Sequence, residues 1–476
     1  MKNYLLIYLI LLFSSCKAQA PSLKNTKSVK NFENQPALQG AHFGISIREL
    51  SIGKEILEKH SKINLIPASN LKLLYTLAAI DKYGDNFRFH TRLFYSGKIE
   101  NGTLNGDLIF QPDGDPVFAA LRFKEDLDSL LQSLTEIIRK KGIREIKGKI
   151  KMELNGWRYP AAGSWPVEDI GNYYGTGAWD FNFRDNRIDV YLQRSNKVGG
   201  PTKVLYTIPE IPGIKFISKV KTAEKNTGDQ SYVYAAPFDK TRYILGTVPV
   251  GTKPFKVKAG IPNPPLSFLK IFEKKLNEQN IQTNGVELSY QRQVYRQKIW
   301  EKISPSLLDI VKKTNDYSMN HYSEALGWLL IYGKHPSEGY MNKDSINQFF
   351  KKNYGLKNID LEDASGLAPD NLISPSALTQ YLFIQTQKLG LKKVLDILPH
   401  GGIDGYAKYF LKNSPVQQKV WVKSGSVSKV RNYTGIFQGK SGKYYAFSVM
   451  TNLFVSKHKE VRKAIENLVE SLIKNY

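Results

Sequence analysis

Hydrophobic and polar positions follow two different periods along the chain, and the changes of period divide it into segments. Residues 42–50, HFGISIREL, alternate as a strand, and residues 51–60 add a turn and a second strand. The stretch 64–80, NLIPASNLKLLYTLAAI, begins polar and continues as a strongly apolar helix. Helical patterning dominates again from 304 to 390. The last segments predict three strands and a closing helix, at 418–427, 432–439, 444–452 and 457–476.

The middle of the chain has a different pattern of hydrophobic positions and turns. Residues 87–110 alternate and contain Asn-Gly turns, which is typical of hairpins. Residues 123–142 form an amphipathic helix that ends in glycine, and residues 167–192 are rich in turns and aromatics. Strands from both ends of the chain therefore flank helices, with a large mixed α/β insertion between them. This pattern predicts an α+β fold.

The first residues predict export. Lys2 precedes an apolar run, Leu5–Phe13, that is too short to span a bilayer comfortably, so 1–16 reads as a secretory signal. Ser14, Ser15 and Cys16 resemble a bacterial lipoprotein cleavage site, although Phe13 departs from that pattern. We expect a lipid on Cys16 to hold an exported, periplasmic or cell-envelope protein at the membrane. An ordinary signal peptide with an incidental cysteine is the alternative.

Cys16 is the only cysteine in the chain, so no internal disulfide is possible and the exported protein must rely on its core. Residues 17–40 are polar and basic, and we predict a flexible tether there.

The net charge of +25 favours anionic partners. The sequence nevertheless has no zinc-finger spacing and no run of five or more Lys/Arg, so we do not expect a nucleic-acid partner. The seven histidines lack the His-Glu-x-x-His spacing of a zinc peptidase. We expect neither a metal nor another cofactor.

Ser69 and Lys72 are candidates for a nucleophile and its base. Ser-x-x-Lys occurs eight times in the chain, so the spacing alone is weak. Only Ser69 opens a long apolar helix, on which positions i and i+3 share a face. Serine needs a base, and lysine becomes one when burial or a nearby cation lowers its pKa. The alternative is that Ser69 merely caps the helix and Lys72 lies at the surface.

A serine hydrolase that uses Ser-x-x-Lys needs two further motifs, Ser-x-Asn and then Lys-Thr/Ser-Gly. Ser-x-Asn occurs at 318–320, in a polar loop entering an apolar helix, and at 345–347, in charged surroundings typical of an exposed helix. Lys-Ser-Gly occurs at 440–442, between two strands, and at 423–425, at the end of a strand. A strand edge can pair with an extended peptide, whereas a turn cannot. These surroundings therefore favour the Ser-x-Asn copy at 318–320 and the Lys-Ser-Gly copy at 423–425.

The ordered set of three motifs resembles the D-alanyl-D-alanine carboxypeptidase/endopeptidase family known as penicillin-binding protein 4, the class C low-molecular-mass penicillin-binding proteins or peptidase family S13. Further segments resemble the same family. They are NDYSMNHYSEAL, LEDASGLAPDNLISPSAL, LPHGGIDGY and GDLIFQPDGDPVF.

The resemblance implies a serine β-lactamase/penicillin-binding-protein transpeptidase-like fold, with an antiparallel sheet flanked by helices and a helical subdomain. The catalytic domain would comprise 41–93 and 296–476, and 94–295 would form one or two inserted domains. The implied substrate is a peptidoglycan stem peptide or crosslink, cleaved through an acyl-enzyme, with β-lactam antibiotics as inhibitors.

The resemblance also implies the roles of the site residues. Ser69 would attack the peptide carbonyl, and Lys72, kept neutral by the charge of Lys423, would take the proton. Ser318 would relay a proton to the leaving amine, and Asn320 would orient the substrate amide. The remaining residues would bind the terminal carboxylate and the oxyanion along one strand: Lys423, Ser424, Gly425 and Ser426.

Three departures from the family pattern, at Met319, Ala364 and Pro369, put fine substrate contacts in question. Two alternatives stay open: an esterase or β-lactamase of the same fold, and a catalytically silent cell-wall scaffold.

Overall fold

The structure, a computed structural model, describes residues 23–156, 158–291, 296–333, 339 and 341–476. The α-helices in these ranges are α1 (Leu23–Glu33), α2 (Lys72–Tyr83), α3 (Leu127–Lys140), α4 (Val167–Ile170), α5 (Pro264–Glu278), α6 (Leu307–Tyr317), α7 (Asn320–Tyr332), α8 (Lys343–Tyr354), α9 (Pro375–Leu389), α10 (Leu391–Ile397) and α11 (His458–Asn475).

The strands in the same ranges are β1 (His42–Glu49), β2 (Glu55–Lys59), β3 (His90–Tyr95), β4 (Lys98–Glu100), β5 (Thr103–Asn105), β6 (Leu108–Pro112), β7 (Glu145–Ile146), β8 (Ile150–Glu153), β9 (Arg187–Gln193), β10 (Lys203–Ile208), β11 (Lys215–Ser218), β12 (Lys221–Ala223), β13 (Gln230–Tyr234), β14 (Thr241–Pro249), β15 (Phe255–Gly260), β16 (Val286–Ser289), β17 (Gln297–Ile303), β18 (Val420–Val427), β19 (Val430–Gln438) and β20 (Tyr444–Asn452).

A five-stranded antiparallel sheet joins the two ends of the chain in the order β18-β19-β20-β1-β2. Successive side chains of a strand point to opposite faces, so each strand serves two cores. On β20, Phe447 and Val449 pack with α1 and α11 on one face, whereas Ala446 and Met450 pack with α2 and α9 on the other. The sheet therefore lies between two helical layers, as the α+β prediction required.

The helix α2 is the centre of the second layer. Its residues from Lys72 to Ile80 are all buried, and it packs against α6, α7 and α9. A helix that is apolar on every side belongs in a core rather than at a surface. This burial fixes the position of the helix end at which Ser69 lies.

The insertion leaves and re-enters the catalytic domain through two paired strands. Its first strand, β3, is antiparallel to its last, β17, within a sheet ordered β16-β8-β6-β3-β17. The predicted boundary at 94 falls within β3, whereas the one at 295 lies outside the described residues, ahead of β17. Smaller sheets complete the insertion, and α3 and α5 cover a separate core. Phenylalanines contribute much of that core, among them Phe110, Phe118, Phe181 and Phe268.

The N-terminal segment is ordered where it is described. Helix α1 packs against α11, and Val29, Phe32 and Leu38 join the same core. The prediction of a flexible tether over 17–40 is therefore wrong from residue 23 onward, because the apolar face of α1 finds its partner at the other end of the chain. Cys16 and the predicted signal, 1–16, lie outside the described residues. Within the described ranges, no helix has both the length and the apolar content needed to cross a membrane.

Candidate active site

Ser69 lies in a 3₁₀ turn, Ala68–Leu71, that runs directly into α2. Lys72, the first residue of α2, is fully buried. Its Nζ atom is 2.8 Å from Ser69 Oγ and donates to the carbonyl oxygen of Ser365 at 2.5 Å. Neither the turn nor the helix, both fully described, has a side-chain cap at its start. The alternative of a capping serine beside a surface lysine is therefore wrong.

The buried position of Lys72 makes it a base near neutral pH. Burial lowers the pKa of Lys72 to about 7, against the opposing influence of the Asp363 and Glu324 carboxylates. Burial is therefore the main cause, rather than the charge of Lys423 that the sequence argument invoked. The pKa of Lys423 is itself lowered well below its usual range, by burial first and then by the charges of Lys72 and Arg431.

Two glycines hold the turn that carries Ser69. A Cβ atom at Gly425 would lie 2.5 Å from the carbonyl oxygen of Pro67. A Cβ atom at Gly366 would lie 1.9 Å from the carbonyl oxygen of Ala68, and Gly366 has a φ of +76°. Only glycine allows such close approach at both positions. The strand β18 and the loop around Gly366 are thereby brought against the nucleophile turn from two sides.

Ser318 and Asn320 flank the connection between α6 and α7. Ser318 has a φ of 53° at the end of α6, and its Oγ accepts from Lys423 Nζ at 3.0 Å. The side chain of Ser318 thus faces the site, so a simple helix-capping role does not describe it. Asn320 donates from Nδ2 to the carbonyl oxygen of Tyr174, in the insertion, at 2.8 Å. The second motif therefore also ties the catalytic domain to the insertion.

The third motif lies on a strand, as its alternation predicted, and this strand, β18, is an edge of the main sheet. β18 ends the sheet, and the N–H of Val422 donates away from β19, to the carbonyl oxygen of Pro399, at 2.7 Å. Backbone groups alternate along a strand, so those of Ser424 and Ser426 also point outward. Lys423 Nζ donates to the outward carbonyl oxygen of Ser424 at 2.8 Å. The outer edge of β18 is paired with residues 399–401 as far as Val422, so an extended peptide would add to it from Ser424 onward.

The duplicate motifs lie where their context indicated. Residues 440–442 form the turn between β19 and β20, and residues 345–347 lie in the first half of α8. In α8, Asn347 accepts from the backbone N–H of Leu361, which is a structural role. The structure thus brings together the three selected motifs and leaves the other copies outside the site.

Two buried acids beside Lys72 were not recognised as site residues from the sequence. Asp363 lies in one of the segments that resemble the family, but the sequence assigns a role neither to it nor to Glu324. Asp363 organises a turn, and among the described residues its carboxylate accepts from six donors: Ser365 Oγ, Gly366 N, Leu367 N, Ala368 N, Asn371 Nδ2 and Trp165 Nε1. Glu324 accepts from the backbone N–H of Ala364. The sequence signal for Glu324 is that it is a single acidic residue within the apolar run that forms α7.

Fold and site together define a serine acyl-transferring hydrolase of the penicillin-binding-protein and β-lactamase type. The model of the D-Ala-D-Ala carboxypeptidase 3 (S13) family matches residues 25–472, so the chain belongs to that family. This confirms the family and the enzyme class that the three motifs predicted, serine-type D-Ala-D-Ala carboxypeptidase.

Comparisons with individual proteins agree with the family. The D-alanyl-D-alanine carboxypeptidase DacB of Haemophilus influenzae is 25% identical over 422 residues, which are 87% of this chain and 86% of that protein. The crystal structure of penicillin-binding protein 4 from the same organism superimposes with a TM-score of 0.79 at 24% identity, covering 94% of this chain and 99% of that one.

A more distant structure shares the fold. A predatory endopeptidase from Bdellovibrio bacteriovorus, acylated by penicillin G and bound to an immunity protein, gives a TM-score of 0.52 at 15% identity. It covers 91% of this chain and 92% of the other.

Proposed function

We propose that the protein cleaves peptide bonds that follow D-alanine in peptidoglycan, through an ester on Ser69, as a carboxypeptidase, an endopeptidase or both. The observation that carries this proposal is the 2.8 Å contact between Ser69 Oγ and a buried Lys72 whose pKa is about 7. The names of the relatives support the substrate class. They include both a D-alanyl-D-alanine carboxypeptidase and a peptidase described as an endopeptidase.

The chemistry begins with attack of Ser69 Oγ on the carbonyl carbon of the penultimate D-alanine. Neutral Lys72 accepts the hydroxyl proton as the new C–O bond forms. The outward N–H of Ser426 and the N–H of Ser69 stabilise the oxyanion. The C–N bond then breaks, and the proton that Lys72 accepted passes through Ser318 to the leaving amine. Water hydrolyses the ester and regenerates Ser69.

Lys423 and Ser424 bind the terminal carboxylate of the substrate in this scheme. In the free protein the pKa of Lys423 is lowered well below its usual range, chiefly by burial. A bound carboxylate opposes that shift, because an opposite charge nearby favours the ammonium form. Binding therefore recharges Lys423 and gives a charge-assisted hydrogen bond. Gly425 keeps the strand close to the nucleophile turn, and Asn320 meets the substrate amide.

The serine assignment is tested with a fluorescent penicillin. We expect wild-type protein to carry the label through denaturing electrophoresis and Ser69→Ala to carry none, because the ester forms only on that oxygen. Ser345→Ala, in the unused Ser-x-Asn copy, is the matched control and keeps its label. Equal labelling of Ser69→Ala would remove Ser69 from the mechanism.

The type of cleavage is tested with peptidoglycan fragments. Mass spectrometry after incubation distinguishes loss of one alanine from division of a crosslinked dimer. Turnover of nitrocefin without D-alanine release would instead favour a β-lactamase. Binding to peptidoglycan with neither activity would favour a silent scaffold.

We further propose that the protein is exported and held at the membrane by a lipid on Cys16, in the periplasm or cell envelope. The support is the sequence of residues 1–16, with its basic start, short apolar run and Ser-Ser-Cys end. Labelling cells with a fatty-acid analogue tests the lipid. Wild-type protein should take up the label and Cys16→Ser should not.

A further inference from the structure

The helix α7 holds a buried acid beside the catalytic lysine. Glu324 is 4% exposed, although the helix around it is apolar. An ionised carboxylate is costly to bury unless charges or hydrogen bonds compensate. Among the described residues, Lys72 on α2 and Asp363 on the loop after α8 are the charged groups that act on Glu324, and Tyr75 on α2 is a titratable neighbour. The charge of Glu324 therefore influences the pKa of Lys72.

The Glu324 side chain also accepts a hydrogen bond from the loop that supports Lys72. The backbone N–H of Ala364 lies 3.2 Å and 3.3 Å from the two Glu324 carboxylate oxygens. The neighbouring Ser323 donates from Oγ to the carbonyl oxygen of Ala364 at 2.6 Å. Ser323 and Glu324, which are neighbours on α7, thus bind the carbonyl oxygen and the N–H of the same loop residue, Ala364. The next loop residue, Ser365, supplies the carbonyl oxygen that accepts from Lys72.

We propose that Glu324 is a positioning residue for acyl transfer, which fixes the 363–366 loop under Lys72 and sets the pH at which Lys72 becomes a base. This inference rests on the proposed roles of Ser69 and Lys72. Glu324 does not touch the reacting atoms, and it acts through the loop and through its charge.

The electrostatic direction follows from the charges in the site. Burial and Asp363 raise the pKa of Glu324 to about 8, whereas Lys72 lowers it. Conversely, the Glu324 carboxylate favours the ammonium form of Lys72. The two groups therefore titrate in the same pH range and influence each other. A neutral residue at 324 leaves Lys72 with a lower pKa, so the free base forms at lower pH.

The test is the pH profile of acylation by a fluorescent penicillin in wild type, Glu324→Gln and Glu324→Leu. Glutamine keeps an oxygen that accepts from Ala364 N–H but carries no charge. We expect Glu324→Gln to be acylated at neutral pH within about tenfold of wild type, with the rise of its profile shifted to lower pH by on the order of half a unit or more. Glu324→Leu leaves a buried N–H without an acceptor. We therefore expect the acylation rate of Glu324→Leu to fall by more than about tenfold at every pH. A tenfold fall corresponds to 1.36 kcal/mol.

Glu466→Gln is the matched control. Glu466 is also a buried helical acid that accepts a backbone N–H, that of Leu411 at 3.2 Å. Its substitution should leave the pH midpoint unchanged.

Two results would overturn the proposal. An unchanged midpoint in Glu324→Gln would exclude the electrostatic role, and wild-type acylation of Glu324→Leu would exclude the positioning role. Failure of the proposed function is distinguishable, because the wild type would then not be acylated or would release no D-alanine. Since Glu324→Gln retains the buried hydrogen bond, poor folding of Glu324→Leu does not prevent the test.

Discussion

At the scale of single residues, the site depends on two positions that have no Cβ atom as well as on its reactive side chains. Gly425 and Gly366 carry no Cβ, and this absence lets strand and loop contact the backbone of Pro67 and Ala68. Ser69 is thereby fixed from both sides before any substrate arrives. Preorganisation of this kind is a large part of the catalytic power of enzymes.

Gly425→Ala tests the closeness of strand and turn. Its Cβ atom would meet the Pro67 carbonyl oxygen at 2.5 Å, so β18 must move away from Ser69. A displacement near 1 Å costs roughly 10²-fold in rate, and we expect a loss of that order in acylation by a fluorescent penicillin. Gly163→Ala is the control, because a Cβ atom there has nothing within 4 Å. Full acylation of Gly425→Ala would show that the close contact has no catalytic role.

The sequence could predict the residues that do the chemistry, but not those that position them. Ser69, Lys72 and Lys423 belong to short motifs whose residue types are dictated by the reaction. Glu324 and Asp363 act on Lys72 only after distant parts of the chain have packed together. Their partners are mostly backbone groups, which have no signature in the sequence. The helix α1 was missed because its apolar residues Val29 and Phe32 gain meaning only against α11.

At the scale of elements, the edge strand β18 acts as a template. Its inner backbone groups pair with β19, and its outer groups at Ser424 and Ser426 point outward. A substrate peptide that adds to this edge gains register as well as affinity. The alternation that predicted the strand from the sequence therefore also determines which N–H groups can meet an oxyanion.

Ser426→Pro tests this template. Proline removes the N–H at 426 but no ladder bond, because that group faces away from β19, and proline is tolerated on edge strands in this orientation. We expect folding to persist and the acylation rate to fall by roughly 10²–10³, as when one oxyanion donor is lost. Ser426→Ala retains the N–H and should be acylated like wild type. Comparable rates in both variants would argue against an oxyanion role for this N–H.

At the scale of the whole molecule, the insertion is part of the active-site support. Among the described residues, at least three hydrogen bonds join the insertion to the catalytic domain near the site. Trp165 Nε1 donates to Asp363 Oδ2 at 2.8 Å, and Asn320 Nδ2 donates to the Tyr174 carbonyl oxygen. The Tyr322 hydroxyl donates to Asp185 at 2.6 Å. The insertion therefore contacts the loop that supports Lys72 as well as the second motif.

Trp165→Phe isolates this connection, because it retains most of the ring and removes the donor to Asp363. The Asp363 carboxylate loses one of its six hydrogen bonds from described residues, which costs about 1–3 kcal/mol of unfolding free energy. If the bond also orients the loop, acylation should fall about tenfold, the equivalent of 1.36 kcal/mol. Denaturant unfolding and penicillin acylation measure the two effects on the same preparation.

Trp179→Phe separates support of the site from general stability. Trp179 Nε1 donates at 3.1 Å to the Thr176 carbonyl oxygen, wholly within the insertion, and its side chain is similarly buried. Its substitution should lower stability in the same way and leave acylation unchanged. Parallel losses in both variants would mean that acylation only follows global stability. A loss confined to Trp165→Phe would mean that the insertion holds the catalytic lysine in place through Asp363.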